Sequence, residues 1–389
     1  MARLVTRALA ACLAITSGIH VLVYLLSATL PLHVIALGGS KTQVGLLFAV
    51  SAGVSMLLRP VVGGWVDRYG FRPVMLPGAA VLLLTLAALP LAHAPALLIA
   101  LMAGIGFGNG LISTGAGVLA AQASPAERRG EALGVYYVAT ALSFSVGPPL
   151  GLFLYGSGDM GPCFAAAAVL GVGILVRVGG VAGRRATGLS ARRFRWFSPA
   201  ALPAAATVVL DNVGYSPIYA FLPLHARAAG LGGSLGWFYA LFSACIIVGR
   251  VGLRGLSDRI GRVRVIVPAV ALIALSYLLL ALPPTVFTLA LGAVLLGGGV
   301  ALFYPTLVAL LVDRTPEAGR GSAIGTLSGS FDLGGMVGSL LVGLAVDRAS
   351  FAAGFHVAAA GAALGLALFV VLERRAAARS VLPRPAAGV

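Results

Sequence analysis

Eleven acidic residues occur in the chain, and nine of them lie in polar stretches or beside the ends of apolar runs. The other two, Asp211 and Asp332, stand in the middle of long apolar segments. A carboxylate at mid-membrane depth costs at least ~2.5–3.5 kcal/mol and is a functional candidate for that reason. Alternation between the protonated and ionised forms is the chemistry of a proton carrier, and a persistent negative charge is the chemistry of a cation site. A hydrogen-bonded residue holding two helices together remains the alternative for each. Asp211 is followed by Asn212 and, one turn later, by Tyr215, which puts a polar face on its segment. Asp332 has Gly329, Gly334 and Gly335 around it and no basic residue within one turn. That setting favours a substrate site over a structural pair. His20 and Tyr24 are spaced i, i+4 and so share a helix face. Asn109 is the strongly polar residue deep in its own segment, and Tyr304 completes the set. His20, Tyr24, Asn109, Asp211, Asn212, Tyr215, Tyr304 and Asp332 are the candidates for substrate binding or proton coupling. No catalytic Ser/His/Asp order, nucleotide fingerprint or Cys/His metal spacing occurs. No enzyme, cofactor or metal is expected, so an ion gradient or the substrate's own gradient must supply the energy.

Such residues need apolar elements to hold them. Apolar residues make up 59% of the 389 positions and charged residues 10%, too little charge to cover a soluble surface of that size. Runs of about 20 apolar residues, enough to cross a bilayer, fall near 10–37, 42–62, 74–92, 96–121, 131–156 and 161–182. Six more fall near 199–226, 233–253, 264–282, 285–312, 322–346 and 351–372. The net charge of +16 does not indicate nucleic acid, because the basic residues alternate by loop. Arg3, Arg7, Arg68, Arg72, Arg128, Arg129, the Arg177–Arg195 stretch, Arg254–Arg264, Arg314, Arg320 and the tail from Arg374 fall on one side. The other side holds only Lys41, Arg227 and Arg348. By the positive-inside rule both termini are cytoplasmic. Arginine outnumbers lysine 26 to one (27 basic residues less Lys41), a bias of GC-rich bacterial genomes that points to an inner membrane. Cys12, Cys163 and Cys245 have no framework spacing and read as small apolar fillers.

The chain also repeats itself. Gly64–Gly70 returns as Gly255–Gly261, a shift of 191 positions (255 − 64), and the same shift carries Arg59 onto Arg250 and Gly147 onto Gly338. Two tandem copies of one six-segment unit in so apolar a chain indicate a transporter with its site between the halves. The expected units are residues 1–182, a basic cytoplasmic linker at 183–198, a second half at 199–374 and a cytoplasmic tail at 375–389. Small-xxx-small pairs at Gly104/Gly108, Gly106/Gly110, Gly147/Gly151 and Gly334/Gly338 predict close helix contacts. Arg59 and Arg250, eight residues before Asp67 and Asp258, read as structural ion-pairing residues or as side chains that snorkel to the interface.

The stretch Gly63-Gly64-Trp65-Val66-Asp67-Arg68-Tyr69-Gly70-Phe71-Arg72 resembles the loop signature of the major facilitator superfamily, with Phe71 where that family has a basic residue. The resemblance covers the whole chain in length, segment count and repeat. It implies an all-α membrane protein of twelve transmembrane helices in two pseudo-symmetric six-helix halves. It further implies gating roles for Gly63, Asp67, Arg68, Gly70, Arg72, Asp258, Arg259 and Gly261. Asp67 is expected to latch the start of the eleventh segment near Gly321-Ser322, and Asp258 to face Glu131. Gly147-Pro148-Pro149-Leu150-Gly151 resembles the antiporter motif of drug:proton exporters, with Gly147, Pro148 and Gly151 as the matching positions and Ser143 replacing the motif's first glycine. Adjacent prolines bend the helix, and in the family that bend packs against segment eight. The arginine that family exporters carry in segment four is absent, since Ala100 occupies its place. These features are similar to drug:proton antiporters and arabinose-efflux-like permeases, and imply proton-coupled efflux of a small, partly apolar molecule. Proton-coupled uptake is the alternative, and a non-transporting membrane sensor is the reading from another class. The expected partners are a small-molecule substrate, protons and membrane lipid, with no nucleic acid and a monomer as the working unit.

Overall fold

The structure is a computed structural model that describes residues 6–122, 129–156, 158–181, 198, 201–232, 235–253, 255–316 and 320–381. Backbone groups in lipid must find their hydrogen bonds within the segment, so the apolar runs become helices. Among the described residues these are α1 (Arg7–Ala36), α2 (Lys41–Tyr69), α3 (Phe71–Ala88), α4 (Pro95–Gln122), α5 (Arg129–Leu154), α6 (Gly161–Gly179) and α7 (Leu202–Ala228). They continue with α8 (Leu235–Gly252), a short α9 (Leu256–Ile260), α10 (Arg262–Leu280), α11 (Val286–Arg314), α12 (Arg320–Arg348) and α13 (Phe351–Val381). Setting α9 aside, the twelve long helices coincide with the twelve apolar runs of the sequence. Ten of them are long and apolar enough to cross a bilayer by composition alone. The other two are α7, which carries Asp211, Asn212 and two internal prolines, and α5, whose apolar stretch is Val138–Leu154. The α13 helix runs past residue 374, where the tail was expected to begin.

Helix ends follow local chemistry. Ser40 and Gln43 form a reciprocal capping box at the start of α2, as Thr285 and Thr288 do at the start of α11. Gly70 and Gly261, equivalent under the repeat, turn the chain into α3 and α10 with φ of +90° and +100°. A side chain there would be strained, which accounts for the glycine that closes both copies of the signature.

The first half packs one core and the second half another, and each receives side chains from its neighbour. Phe144 of α5 is buried in the second core, while Phe221, Leu224, Val342 and Val346 enter the first. The halves meet where α2 lies on α12, α5 on α8 and α1 on α7. The predicted glycine pairs set these distances. Gly104 and Gly108 bring α4 onto α3, and Gly106 and Gly110 bring its opposite face onto α2. A Cβ at Gly147 would come within 2.7 Å of the Tyr24 Cβ on α1, and one at Gly334 within 2.5 Å of the Val209 carbonyl oxygen on α7.

Candidate functional site

The α2–α12 seam is closed from the side opposite the termini to about its middle. Gly45 lies on the backbone of Ser339 and Gly343, and Gly53 lies against Met336. At the far end the Thr42 hydroxyl donates to Asp347 Oδ2 at 2.6 Å, so a carboxylate of one half sits at the N-terminus of a helix of the other. Mid-seam, Arg59 Nε donates to Asp332 Oδ2, and its second guanidinium nitrogen reaches Oδ1 at 3.2 Å. Beyond that pair, towards the termini, Gly64, Gly325 and Gly329 have open space beside them. Among the described residues, the seam therefore shows no such close approach on the termini side.

Arg59 corrects the sequence reading of Asp332. No basic residue lies near Asp332 on its own helix, and its partner comes from the other half of the molecule. Both side chains retain contact with open space, at 25% and 12% exposure. Each charge alone would be costly at this depth; as a fork-to-carboxylate pair they offset much of that cost. Arg59 is also within electrostatic reach of His20, Tyr136 and Tyr304. The His20 Nδ1 is tied to the Thr16 carbonyl at 2.8 Å, and its ring lies 5.9 Å from that of Tyr24, on one face as the spacing predicted.

Above this charged centre sits an aromatic cluster that crosses between the halves. The Phe144 ring lies 3.7 Å from Tyr24, 4.8 Å from Tyr219, 5.9 Å from Tyr215 and 5.8 Å from Phe242. Phe331, adjacent to Asp332, contacts Tyr215 at 5.6 Å and Tyr304 at 6.0 Å. Phe331 is 37% exposed, while Phe144 is buried at 4%. Phe144 is thus enclosed by rings from both halves, whereas Phe331 keeps an exposed edge.

Asp211 takes a different place. It is 7% exposed, and its Oδ1 has no hydrogen-bond partner among the described residues. Its ionisable neighbours are Tyr215 and the fully buried Tyr277 of α10, so it faces the interior of the second half. Asn212, beside it, donates to the Phe331 carbonyl and fastens α7 to α12. Asn109 stays apart: its carbonyl accepts from the Ser113 hydroxyl at 2.6 Å, and among the described residues it joins none of the ring contacts or ion pairs of the other candidates.

The antiporter-like motif divides its contacts. Gly147 and Gly151 seat α5 on α1, while Pro149 is the α5 residue nearest Gly236 at the start of α8. In the loop signature, the side chain of Asp67 and the surroundings of Gly63 lie outside the described residues. Arg68 lies over the Tyr69 ring at 5.3 Å, and Arg72 is exposed. Asp258 pairs with Arg262, which also reaches Asp313 at 3.2 Å; the side chain of Glu131, which it was expected to face, lies outside the described residues. The reason is local. The left-handed Gly255 (φ +76°) interrupts the chain, and the second signature forms the separate α9, which places Asp258 one turn from Arg262. Arg259 is exposed and Gly261 makes the turn already described.

Sequence reasoning passed over Arg59 as a functional centre, and Phe144 and Phe331 altogether. A signal was nevertheless present. The 191-position shift carries Thr16, His20 and Tyr24 onto Thr207, Asp211 and Tyr215, so α1 and α7 present one pattern with a histidine in one copy and an aspartate in the other.

Two six-helix halves, charged and aromatic residues at their junction, and a seam closed at one end define a multi-pass membrane transporter. The family model described as Major Facilitator Superfamily matches residues 12–254 and 204–388, and the chain belongs to that superfamily. An MFS-type transporter of Burkholderia mallei is 27% identical over 355 residues, covering 88% of this chain and 86% of its own. One from Pseudomonas aeruginosa is 29% identical over 173 residues, and the matched part spans 43% of that relative's length and 44% of this chain. Among solved structures, a POT family transporter in complex with a thioalcohol-conjugated peptide superposes with TM-score 0.79 at 14% identity over 95% of this chain and 96% of its own. The nucleoside transporter NupG gives 0.76 at 11% identity, covering 94% of this chain and 100% of its own. At these identities the likeness is one of fold.

Proposed function

We propose that this transporter couples inward proton movement to the export of a small, partly apolar molecule across a bacterial inner membrane, by alternating access with the termini in the cytoplasm. The observation that carries the proposal is Asp211, buried at mid-helix with an unpartnered carboxyl oxygen and tyrosines beside it. An unpaired buried carboxylate costs several kcal/mol, which uptake of one proton relieves. Asp211 is the proton-carrying group, and the Arg59–Asp332 centre with Phe331, Tyr215 and Tyr304 receives the substrate. An α2–α12 seam closed on the far side at Gly45 and Gly53, with open space beside Gly64 and Gly325, and a Phe144 ring filling the junction of α5 with α1, α7 and α8, support a cytoplasm-facing state. Export is supported by the Pro148-Pro149 bend, whose proline side approaches α8. Energised everted vesicles containing the transporter are expected to accumulate substrate and to lose protons from the lumen as they do. Accumulation in right-side-out vesicles instead would establish uptake, and gradient-independent equilibration would remove the coupling.

A further inference from the structure

We infer that Arg59 is a recognition site for an anionic group, a carboxylate above all, on a substrate with a planar apolar body, and that Asp332 occupies that site as an internal stand-in. The inference rests on the reading that the junction of the halves is the substrate site, but not on the direction of transport or on proton coupling.

Three features lead to it. First, Arg59 is the fixed charge of the pair, since a guanidinium does not give up its proton in proteins. A ligand can change the pair only by offering Arg59 another anion or Asp332 another cation. Second, the surroundings disfavour a cation. The groups facing the pair are His20 from α1, Tyr136 from α5 and Tyr304 from α11, and none adds negative charge to Asp332. Arg59 is the more exposed member of the pair, at 25% against 12% for Asp332, so an incoming group meets the guanidinium first. An anion there replaces one carboxylate by another on the same two-pronged donor. Third, the exposed Phe331 ring is the neighbour of Asp332 along α12, with Tyr215 and Tyr304 edge-on to it. A flat ring stacked on Phe331 would lie one residue along α12 from the carboxylate that Arg59 holds.

The test is binding to the purified full-length protein in nanodiscs with three probes that share one ring system: 2-naphthoate, 2-naphthamide and 2-naphthylmethylammonium. Wild type should bind the carboxylate in preference to the other two. Asp332→Asn removes the internal competitor and should tighten the carboxylate roughly tenfold or more while leaving the amide unchanged. Arg59→Gln should abolish the preference, and Arg59→Lys, which keeps the charge but loses the fork, should retain part of it. Should Arg59→Gln fail to fold, the Asp332→Asn and Arg59→Lys arms still decide. Preferred binding of the ammonium probe, or carboxylate affinity unmoved by Asp332→Asn, overturns the inference. Carboxylate binding that follows this pattern in a protein that moves no protons leaves the inference standing and fails the coupling proposal; coupled transport without it does the reverse.

Discussion

The Arg59–Asp332 pair gives a prediction whose size follows from its geometry. A hydrogen bond to a charged group contributes about 1.5–3 kcal/mol net, and the pair makes two. The side chains are 25% and 12% exposed, so water competes for both. Discounting by about half for that competition leaves a coupling of about 1.5–3 kcal/mol, above the median for surface pairs. Asp332→Asn keeps the shape of the side chain, Arg59→Gln shortens it to a neutral polar one, and each removes one charge. Either alone should destabilise by about 2–4 kcal/mol, because it leaves the opposite charge unpaired at mid-membrane depth. The double variant should recover most of the coupling rather than add the two losses. Unfolding of the four proteins in mixed micelles of graded denaturing detergent measures the cycle. A coupling below about 0.5 kcal/mol would mean that the two halves are not joined here electrostatically, and the account of this centre would fail with it.

Asp211→Asn should abolish gradient-driven movement and spare substrate exchange in proteoliposomes, and uphill transport by the variant would take Asp211 out of the coupling. Gly147→Ala puts a methyl 2.7 Å from the Tyr24 Cβ and 2.8 Å from the Val21 carbonyl oxygen, and overpacking of that kind costs about 1–3 kcal/mol. Gly325→Ala, with open space around it, should cost nothing in the same unfolding assay, and equal losses would refute the packing argument. Phe144→Ala empties the centre of the aromatic cluster and should cost about 3 kcal/mol and raise substrate-independent solute leak across proteoliposomes. A tight Ala variant would show that the junction is sealed elsewhere.

The helices were legible because lipid leaves the chain no other way to close its backbone, so apolar length alone marks each span. The glycine pairs were legible for a related reason: without a hydrophobic force between helices in lipid, close approach is what joins them, and it needs small residues at fixed spacing. The ion pair was not legible. Arg59 and Asp332 are 273 positions apart, and no local pattern says which of the basic residues faces which acid across the junction. Phe144 and Phe331 went unseen because a phenylalanine in an apolar segment carries no signal of its own; only the neighbour's tyrosines make it part of a cluster. The pairing of Asp258 with Arg262 was not legible because the repeat holds in sequence but not locally in three dimensions: Gly255 turns left-handed whereas Gly64 continues a helix.

The matched triplets on α1 and α7 have a consequence for how such a machine can change. Thr16 and Thr207 stand at equivalent places, as do Tyr24 and Tyr215, and in each half the same helix is drawn in by a glycine contact at Gly147 or Gly338. The rack is duplicated, but the tool held in its central slot is not: His20 in one copy, Asp211 in the other. A histidine alternates between neutral and positive and an aspartate between negative and neutral, so a proton entering either slot adds the same unit of charge but ends on a cation in one half and on a neutral group in the other. Duplication thus supplied one scaffold with two independently adjustable titrating positions. Either slot can be altered without redesigning the helix that carries it.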